Sequence, residues 1–239
     1  NAYSCLISRC CVSNCSANSS GGGISIQSSY YSNSIVSDCI VDNCSATEGG
    51  GINVSTSSHV ADCQVTNCFA EVGGGIIASS LSTMCSVKNS KIANCLATSK
   101  GGGIYLSSYA FMANSAILNC SAYEGGGVFS ASPYNASSAT WNCTIYNCSG
   151  NYGGGVSATS SVNKSTYFTN CVFANCSATY DGSAILGDLN TEITNCASIN
   201  NSTAGVVSVG IVGGRQNACI YTDITSTFVK PADFIGIAN

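Results

Sequence analysis

Seventeen cysteines, eleven carboxylates and one histidine are the residues of this 239-residue chain that could do chemistry. Polymer-cleaving lyases and hydrolases need clustered carboxylates for acid–base work or calcium, with a Lys or Arg to meet developing charge. Here the acids are scattered. Asp38 and Asp62 share one slot of a repeat, but Asn142 and Asn170 fill that slot elsewhere, so the pair reads as structural. His59 stands one residue before a strand valine, in a variable position, and reads as a solvated or corner histidine. Arg9 and Arg215 lie near opposite ends and cannot cooperate. A nucleophilic Cys needs a nearby His, and there is one His in the chain. Zinc favours compact C-x-x-C pairs, often with His, whereas these cysteines are spaced C-x4-C. The glycine triplets lack a GK[ST] ending and run into strands, so they are not phosphate loops. The expectation is no catalytic residue, no metal and no cofactor.

What these residues do instead follows from a repeat. VDNCSATEGGGINV from Val41, VTNCFAEVGGGIIA from Val65 and ILNCSAYEGGGVFS from Ile117 are versions of one phrase. Glycine runs begin at Gly21, Gly49, Gly73, Gly101, Gly125, Gly153 and Gly182, at intervals of 28, 24, 28, 24, 28 and 29. A period of this size marks a solenoid, each repeat one structural unit. A second unit lies five residues upstream of each Asn-Cys: Asp38-Cys39 before Asn43-Cys44, Asn142-Cys143 before Asn147-Cys148, and Asn89-Ser90, Asn114-Ser115 or Asn190-Thr191 where the cysteine is replaced. Between the units sits an apolar residue: Val12, Val41, Val65, Ile92, Ile117, Ile145, Phe173, Ile193. After the glycines comes a third alternating stretch, as in Ile52-Asn53-Val54. Alternation sends Val41, Ile52 and Val54 inward and Asp42 and Asn53 outward. No helical period appears, and only Pro133 and Pro231 interrupt possible ladders.

The sequence therefore predicts an all-β fold, a right-handed parallel β-helix of about eight coils with three short strands per coil. At roughly 4.8 Å per coil it forms a rod of about 40 Å. The repeat domain spans 1–212; residues 213–239 leave the pattern and form a C-terminal cap or inter-subunit docking segment. Stacked asparagines Asn14, Asn43, Asn67, Asn94, Asn119, Asn147, Asn175 and Asn195 form a ladder whose amides bond along the axis. Asn also tolerates the left-handed backbone of a sharp corner.

The cysteines form two columns: Cys10, Cys39, Cys63, Cys143 and Cys171 in one, and Cys15, Cys44, Cys68, Cys95, Cys120, Cys148, Cys176 and Cys196 in the other. Pairing within a coil would bridge five extended residues, roughly 16 Å, against the about 4.4–6.8 Å between Cα atoms that a disulfide accepts. Neighbouring coils meet that distance, so bonds such as Cys39–Cys63 and Cys143–Cys171 are expected. Partners within the longer column stay open. The alternative is a column of reduced thiols packed as small hydrophobes.

Composition sets the surroundings. Charged residues are 8% of the chain and the net charge is −4, which excludes the clustered cations that nucleic acid or an anionic membrane surface requires. No segment approaches the roughly 20 apolar residues of a membrane span. Cysteine content of this kind points to an oxidising compartment. The chain carries twelve N-x-S/T sequons, among which Asn18, Asn53, Asn135, Asn163 and Asn201 are the candidate glycan acceptors. Starting at Asn1 with no initiator Met or signal pattern, the chain is expected to be a processed product or a segment of something longer.

The block [V/I/F]-x-N-C-S-A followed by GGG-[I/V] resembles the FxxN and GGA[I/L/V] repeats of polymorphic outer-membrane proteins, over about residues 5–210. Phe173-Ala174-Asn175-Cys176 aligns with FxxN when Cys takes the place of the family's Asn. A third glycine replaces the family's alanine in most repeats, as at Gly51 and Gly75. The resemblance implies a pectin-lyase-like right-handed β-helix on a cell surface, adhesive or structural. That fold also hosts polysaccharide lyases and hydrolases.

Outward positions after the glycines form a candidate interaction stripe: Ile77, Tyr105, Phe129 and Leu186, able to stack sugars or pack on another chain. The leading functional expectation is an extracellular structural glycoprotein whose copies join head to tail, through the tail or last coil, into a filament or surface appendage. The alternative is an adhesin or carbohydrate-binding surface rod, and the third reading an enzyme acting on polysaccharide. Partners are other copies of itself, covalent glycans and a carbohydrate ligand, with no nucleic acid and no membrane insertion.

Overall fold

The computed structural model describes residues 4–28, 32–80, 82–132, 136–161, 164–203 and 211–222. Its strands pair in parallel, each with its counterpart one repeat away, so the chain winds as a parallel β-helix of about eight coils. Among the described residues an upstream sheet, from Leu6–Ser8 to Arg215–Asn217, and a middle sheet, from Cys11–Ser13 to Ile220–Thr222, have nine strands each. A glycine sheet, from Ile24–Gln27 to Ile211–Val212, has eight. These are the three strands expected per coil. A fourth sheet of six strands, from Phe69–Val72 to Ser202–Thr203, lies between the middle sheet and the glycines.

Inward residues stack like on like. Val41, Val65, Ile92, Ile117, Ile145 and Phe173 are in register along the middle sheet and fully buried. Ile52, Ile76, Ile104, Val128, Val156 and Ile185 do the same along the glycine sheet. Val60, Val87 and Met112 continue this along the upstream sheet, where Phe168 packs edge-on to Phe173 with ring centroids 6.3 Å apart. Each such side chain stabilises by about 1.5–3 kcal/mol on burial, and repetition along the axis makes one continuous core.

Two corners per coil turn through a single left-handed residue. Downstream of the middle strand stand Asn14, Asn43, Asn67, Asn94, Asn119, Asn147 and Asn175, all with φ between +52° and +56°. Downstream of the upstream strand the same conformation is held by Asp38, Asp62, Asn89, Asn114, Asn142, Asn170 and Asn195. There are therefore two ladders. The upstream ladder is continuous from Asn89 to Asn195, with amide bonds of 3.4, 3.2, 3.2 and 2.7 Å. In the other ladder Asn43 donates to Asn14 at 2.7 Å and Asn147 to Asn119 at 2.9 Å. Asn67 donates instead to the Asp42 carboxylate, which Thr66 first and Asn67 second hold below the usual carboxylate range.

This geometry corrects the placement of Asn195 and Cys196. Val172 pairs with Ala197, which puts Cys196 over Cys171 in the upstream column, and Asn201 over Cys176. Ile193 likewise lies beside Phe168, not Phe173. The repeat also runs past the expected boundary at 212: Arg215–Asn217 and Ile220–Thr222 pair with Thr191–Thr194 and Ala197–Ile199. The tail beyond 222, expected as cap or docking segment, lies outside the described residues.

The third corner is made by glycines. At Gly125–Gly127 the first residue has φ +64°, and a Cβ on Gly126 would stand 2.1 Å from the Ser149 oxygen of the next coil. A Cβ on Gly127 would stand 2.7 Å from Gly155 oxygen and 2.8 Å from Ile145 Cγ2. Backbone from two coils fills the space, so only hydrogen fits.

Candidate binding groove

The cysteine columns are real as stacks and lie inside the rod. Cys39, Cys44, Cys63, Cys68, Cys95, Cys120, Cys143, Cys148, Cys171, Cys176 and Cys196 are at most 3% exposed. All seventeen cysteines are thiols, so the expected Cys39–Cys63 and Cys143–Cys171 bonds are not formed. In-register parallel neighbours keep their Cβ atoms near the roughly 4.8 Å strand spacing, beyond the about 3.5–4.5 Å of a disulfide. Each Sγ instead donates to the carbonyl two residues back, as Cys44 does to Asp42 O at 3.3 Å and Cys148 to Tyr146 O at 3.4 Å. Burial pushes the Cys63 thiol up to about 11 and raises Cys39, Cys44 and Cys85. Buried and carbonyl-bonded, these sulfurs are packing groups; hydrogen bonds between neighbouring thiols of a column shift Cys68, Cys120, Cys143, Cys176 and Cys196 the other way, downward.

The acids and the histidine are also structural. Asp38 and Asp62 occupy left-handed corners of the upstream ladder, beside a shallow pocket of about 490 Å³ that Asn89 and Lys91 also line. His59 is half-buried on the outer face of its strand, bonded through Nδ1 to Ser86 Oγ at 2.7 Å. Burial, then the Lys88 charge, lowers its pKa. Among the described residues no group of three or more His, Cys, Asp and Glu is arranged to hold a metal.

Of the expected glycan acceptors, Asn18 is exposed and Asn53 half-buried; Asn135 and Asn163 lie outside the described residues. Asn201 is a correction. It is 4% exposed, its Oδ1 accepts from Cys176 N at 2.7 Å, and its Nδ2 donates to Phe173 O at 3.0 Å and Ser198 Oγ at 2.9 Å. An amide spent on the core cannot carry a glycan in this fold.

The expected stripe is in register, Ile77 beside Tyr105 and Tyr105 beside Phe129, with Leu186 beyond Ser157. It is not open. Ile77 and Phe129 are 5% and 2% exposed, while Tyr105 and Leu186 are half-buried. Tyr105 stacks on Phe129 with centroids 5.4 Å apart, and Lys100 Nζ lies 4.5 Å from the Phe129 ring centre. Ile77 and Leu186 fold over Gly73 and Gly182, whose missing side chains leave backbone to cover.

Exposed aromatics nearest this stripe stand on the neighbouring fourth sheet. There Ala70, Ala97, Ala122 and Ala178 point inward and are buried, because the glycine corner leaves no room for a larger residue. Outward positions alternate with them. Ser121, Ser149, Ser177 and Ser202 form one in-register column; Thr98, Asn151 and Thr179 stand across from it. These small side chains leave an open groove of about 610 Å³ that runs along the axis from Leu96 to Thr203. Tyr123 lines it, and Tyr152 and Tyr180 follow on the next two coils, each in contact with the ring before it. Their centroids are 5.8 and 5.2 Å apart, with Tyr123 48% and Tyr180 53% exposed. On the upstream sheet Phe111 and Trp141 stack at 4.9 Å, under Lys88, in the space that Ala113 and Ala139 leave in register with them.

A half-exposed tyrosine in a row of hydroxyls and amides suits a ligand with apolar and hydroxylated sides. A family model described as right handed beta helix region matches residues 50–217. No curated protein and no solved structure matches the chain.

Proposed function

We propose, for a chain that belongs to the right-handed β-helix family, a carbohydrate-binding surface rod that holds an extended polysaccharide along its fourth sheet. The family supports a surface or structural β-helix protein, or a pectate-lyase-like one, in general. Tyr123 in an axial groove of serine and threonine hydroxyls, with Tyr152 and Tyr180 in ring contact beyond it, is what favours the binding rod. Sugar rings present apolar C–H faces to aromatics and hydroxyl edges to polar side chains, and the spacing of successive coils is close to that of successive units in an extended glycan. We read the rod as non-catalytic, because Asp38 and Asp62 serve as corner residues and the other described carboxylates are scattered rather than gathered at one place, and as secreted and glycosylated at exposed sequons such as Asn18. The filament reading rests on the tail, which lies outside the described residues, or on the last coil, whose strands Arg215–Asn217 and Ile220–Thr222 end their sheets.

Retention of the chain on insoluble polysaccharides and on a glycan array tests this. Tyr123→Ala and Tyr180→Ala should each weaken binding roughly fivefold to tenfold, the equivalent of about 1–1.4 kcal/mol for one aromatic contact. Wild-type chain that binds no glycan, or variants that bind as well as wild type, would overturn it.

A further inference from the structure

We propose that Tyr123, Tyr152 and Tyr180 are a site of oxidative tyrosine coupling, in which hydrogen peroxide acting through a haem peroxidase links neighbouring coils by a carbon–carbon bond. The inference does not depend on the glycan reading. Two rings of the set are about half exposed, open to a one-electron oxidant at the surface. The third stands between them, and both contacts are within 6 Å centre to centre. Backbone pairing holds them there: Glu124 pairs with Tyr152 and Tyr152 with Asp181, each next to a tyrosine of the set. Two phenoxyl radicals made here cannot diffuse apart.

Thiols are the usual quenchers of such radicals; the exposed ones, Cys5, Cys11 and Cys15, belong to the first coil, and those of the tyrosine coils are sealed away. Cys120, Cys148 and Cys176 of the same three coils are at most 1% exposed and point to the core. The groove side offers serine, threonine and asparagine, none of which competes as a reductant.

The step balances. Each phenol gives its O–H hydrogen atom to the oxidant, the two ortho carbons join, and each ortho hydrogen moves to its phenol oxygen as the rings regain aromaticity. One peroxide takes the two hydrogen atoms and leaves as two waters. The product is a covalent staple on the outside of a rod whose coils are otherwise joined by hydrogen bonds and packing.

The test is peroxidase and hydrogen peroxide on dilute full-length chain, followed by tryptic mapping of the monomer band. Cleavage at Lys100, Lys164 and Arg215 separates Tyr152 from Tyr180. The expected product joins peptides 101–164 and 165–215 and is lighter than their sum by two hydrogen atoms, with dityrosine fluorescence. A Tyr123–Tyr152 link stays within 101–164 and costs that peptide the same two hydrogens. Tyr152→Phe, which keeps the ring and the fold, should remove most of both. Tyr146 and Tyr167 are similarly exposed on other sheets and are internal controls; they lie in the same two peptides, so fragment spectra of the linked product place the bond. Coupling spread over those controls, coupling found only between molecules, no coupling in the monomer, or full coupling in Tyr152→Phe would each overturn the proposal.

Discussion

Replacing Asn119 by alanine and by glycine separates the two services a corner asparagine performs. Asn119 holds φ +54°. Its Nδ2 donates to Asn94 Oδ1 at 3.1 Å and its Oδ1 accepts from Asn147 Nδ2 at 2.9 Å. Both bonds are solvent-exposed, so each contributes near the low end of about 0.5–1.5 kcal/mol. Asn119→Gly keeps the backbone and loses the ladder, and should cost about 1–2 kcal/mol. Asn119→Ala also meets the left-handed penalty of about 1–2 kcal/mol, for a total of about 2–4 kcal/mol. A solenoid unfolds by neighbouring units rather than all at once, so the assay must be local. The single tryptophan, Trp141, sits on the adjacent coil beside Phe111, and its emission through a urea titration reports this region. Hydrogen exchange at the Asn119 and Ser121 amides, bonded to Tyr146 O and Cys95 O, gives a second reading. Alanine and glycine variants of equal stability would refute the claim that backbone conformation selects asparagine. A loss below about 0.5 kcal/mol in both would refute the ladder as well.

Two other perturbations test the same architecture. Gly126→Ala puts a Cβ at 2.1 Å from Ser149 oxygen and 2.4 Å from Gly154 oxygen; since both are backbone, the change should cost about 4 kcal/mol or more, and a well-folded variant by circular dichroism and urea melting would contradict the packing. Alkali should weaken the rod at Cys63, over the pH range where the unfolded thiol ionises and the buried one does not. The Cys63 thiol is raised from 9.0 to about 11, so between those values the unfolded chain binds fewer protons, and stability falls as pH rises. At about 1.4 kcal/mol per unit, Cys63 alone accounts for at most about 2 kcal/mol by pH 11. Cys39, Cys44 and Cys85 shift in the same direction. Because Cys68, Cys120, Cys143, Cys176 and Cys196 shift downward, the measurement is a difference: the urea midpoint of wild type should fall further from pH 9 to 11 than that of Cys63→Ala, and equal falls would mean that Cys63 is not held as a buried thiol.

The parts of this fold legible in sequence are those where one residue type has one physical job. Inward Val41 and Ile52 follow from alternation, and the corner asparagines from tolerance of positive φ. The fourth sheet escaped notice because its inward residues, Ala97, Ala122 and Gly150, are small, and alternation of alanine with serine gives little hydropathy contrast. Asn195-Cys196 was misplaced for a different reason. Both corners of a coil read as a polar residue then Cys, five residues apart, so a shift of one strand preserves the motif. What marks the shift is Asn201, whose amide fills a cysteine's place over Cys176 and bonds to its backbone, a substitution no hydropathy pattern reveals. The same limit affects the site. Outward positions after the glycines could be found by counting, but whether a ring there is open depends on Lys100 and the bare corner beneath it. The exposed tyrosines lie in the segment with the weakest periodic signal.

The glycine corners supply what the two asparagine corners lack, an unambiguous phase mark. A growing coil threaded one strand out of step would still find asparagine over asparagine and aliphatic over aliphatic at most positions. It would also bring Ser, Ala or Tyr side chains to the spot where Gly126 lies against two carbonyl oxygens, and there is no volume for them. Misthreading is thus rejected sterically once per turn, before an error can propagate to the next. Insertions between a glycine sheet strand and the following upstream strand leave this keyway untouched, which is why intervals of 24 and 29 residues can share one cross-section.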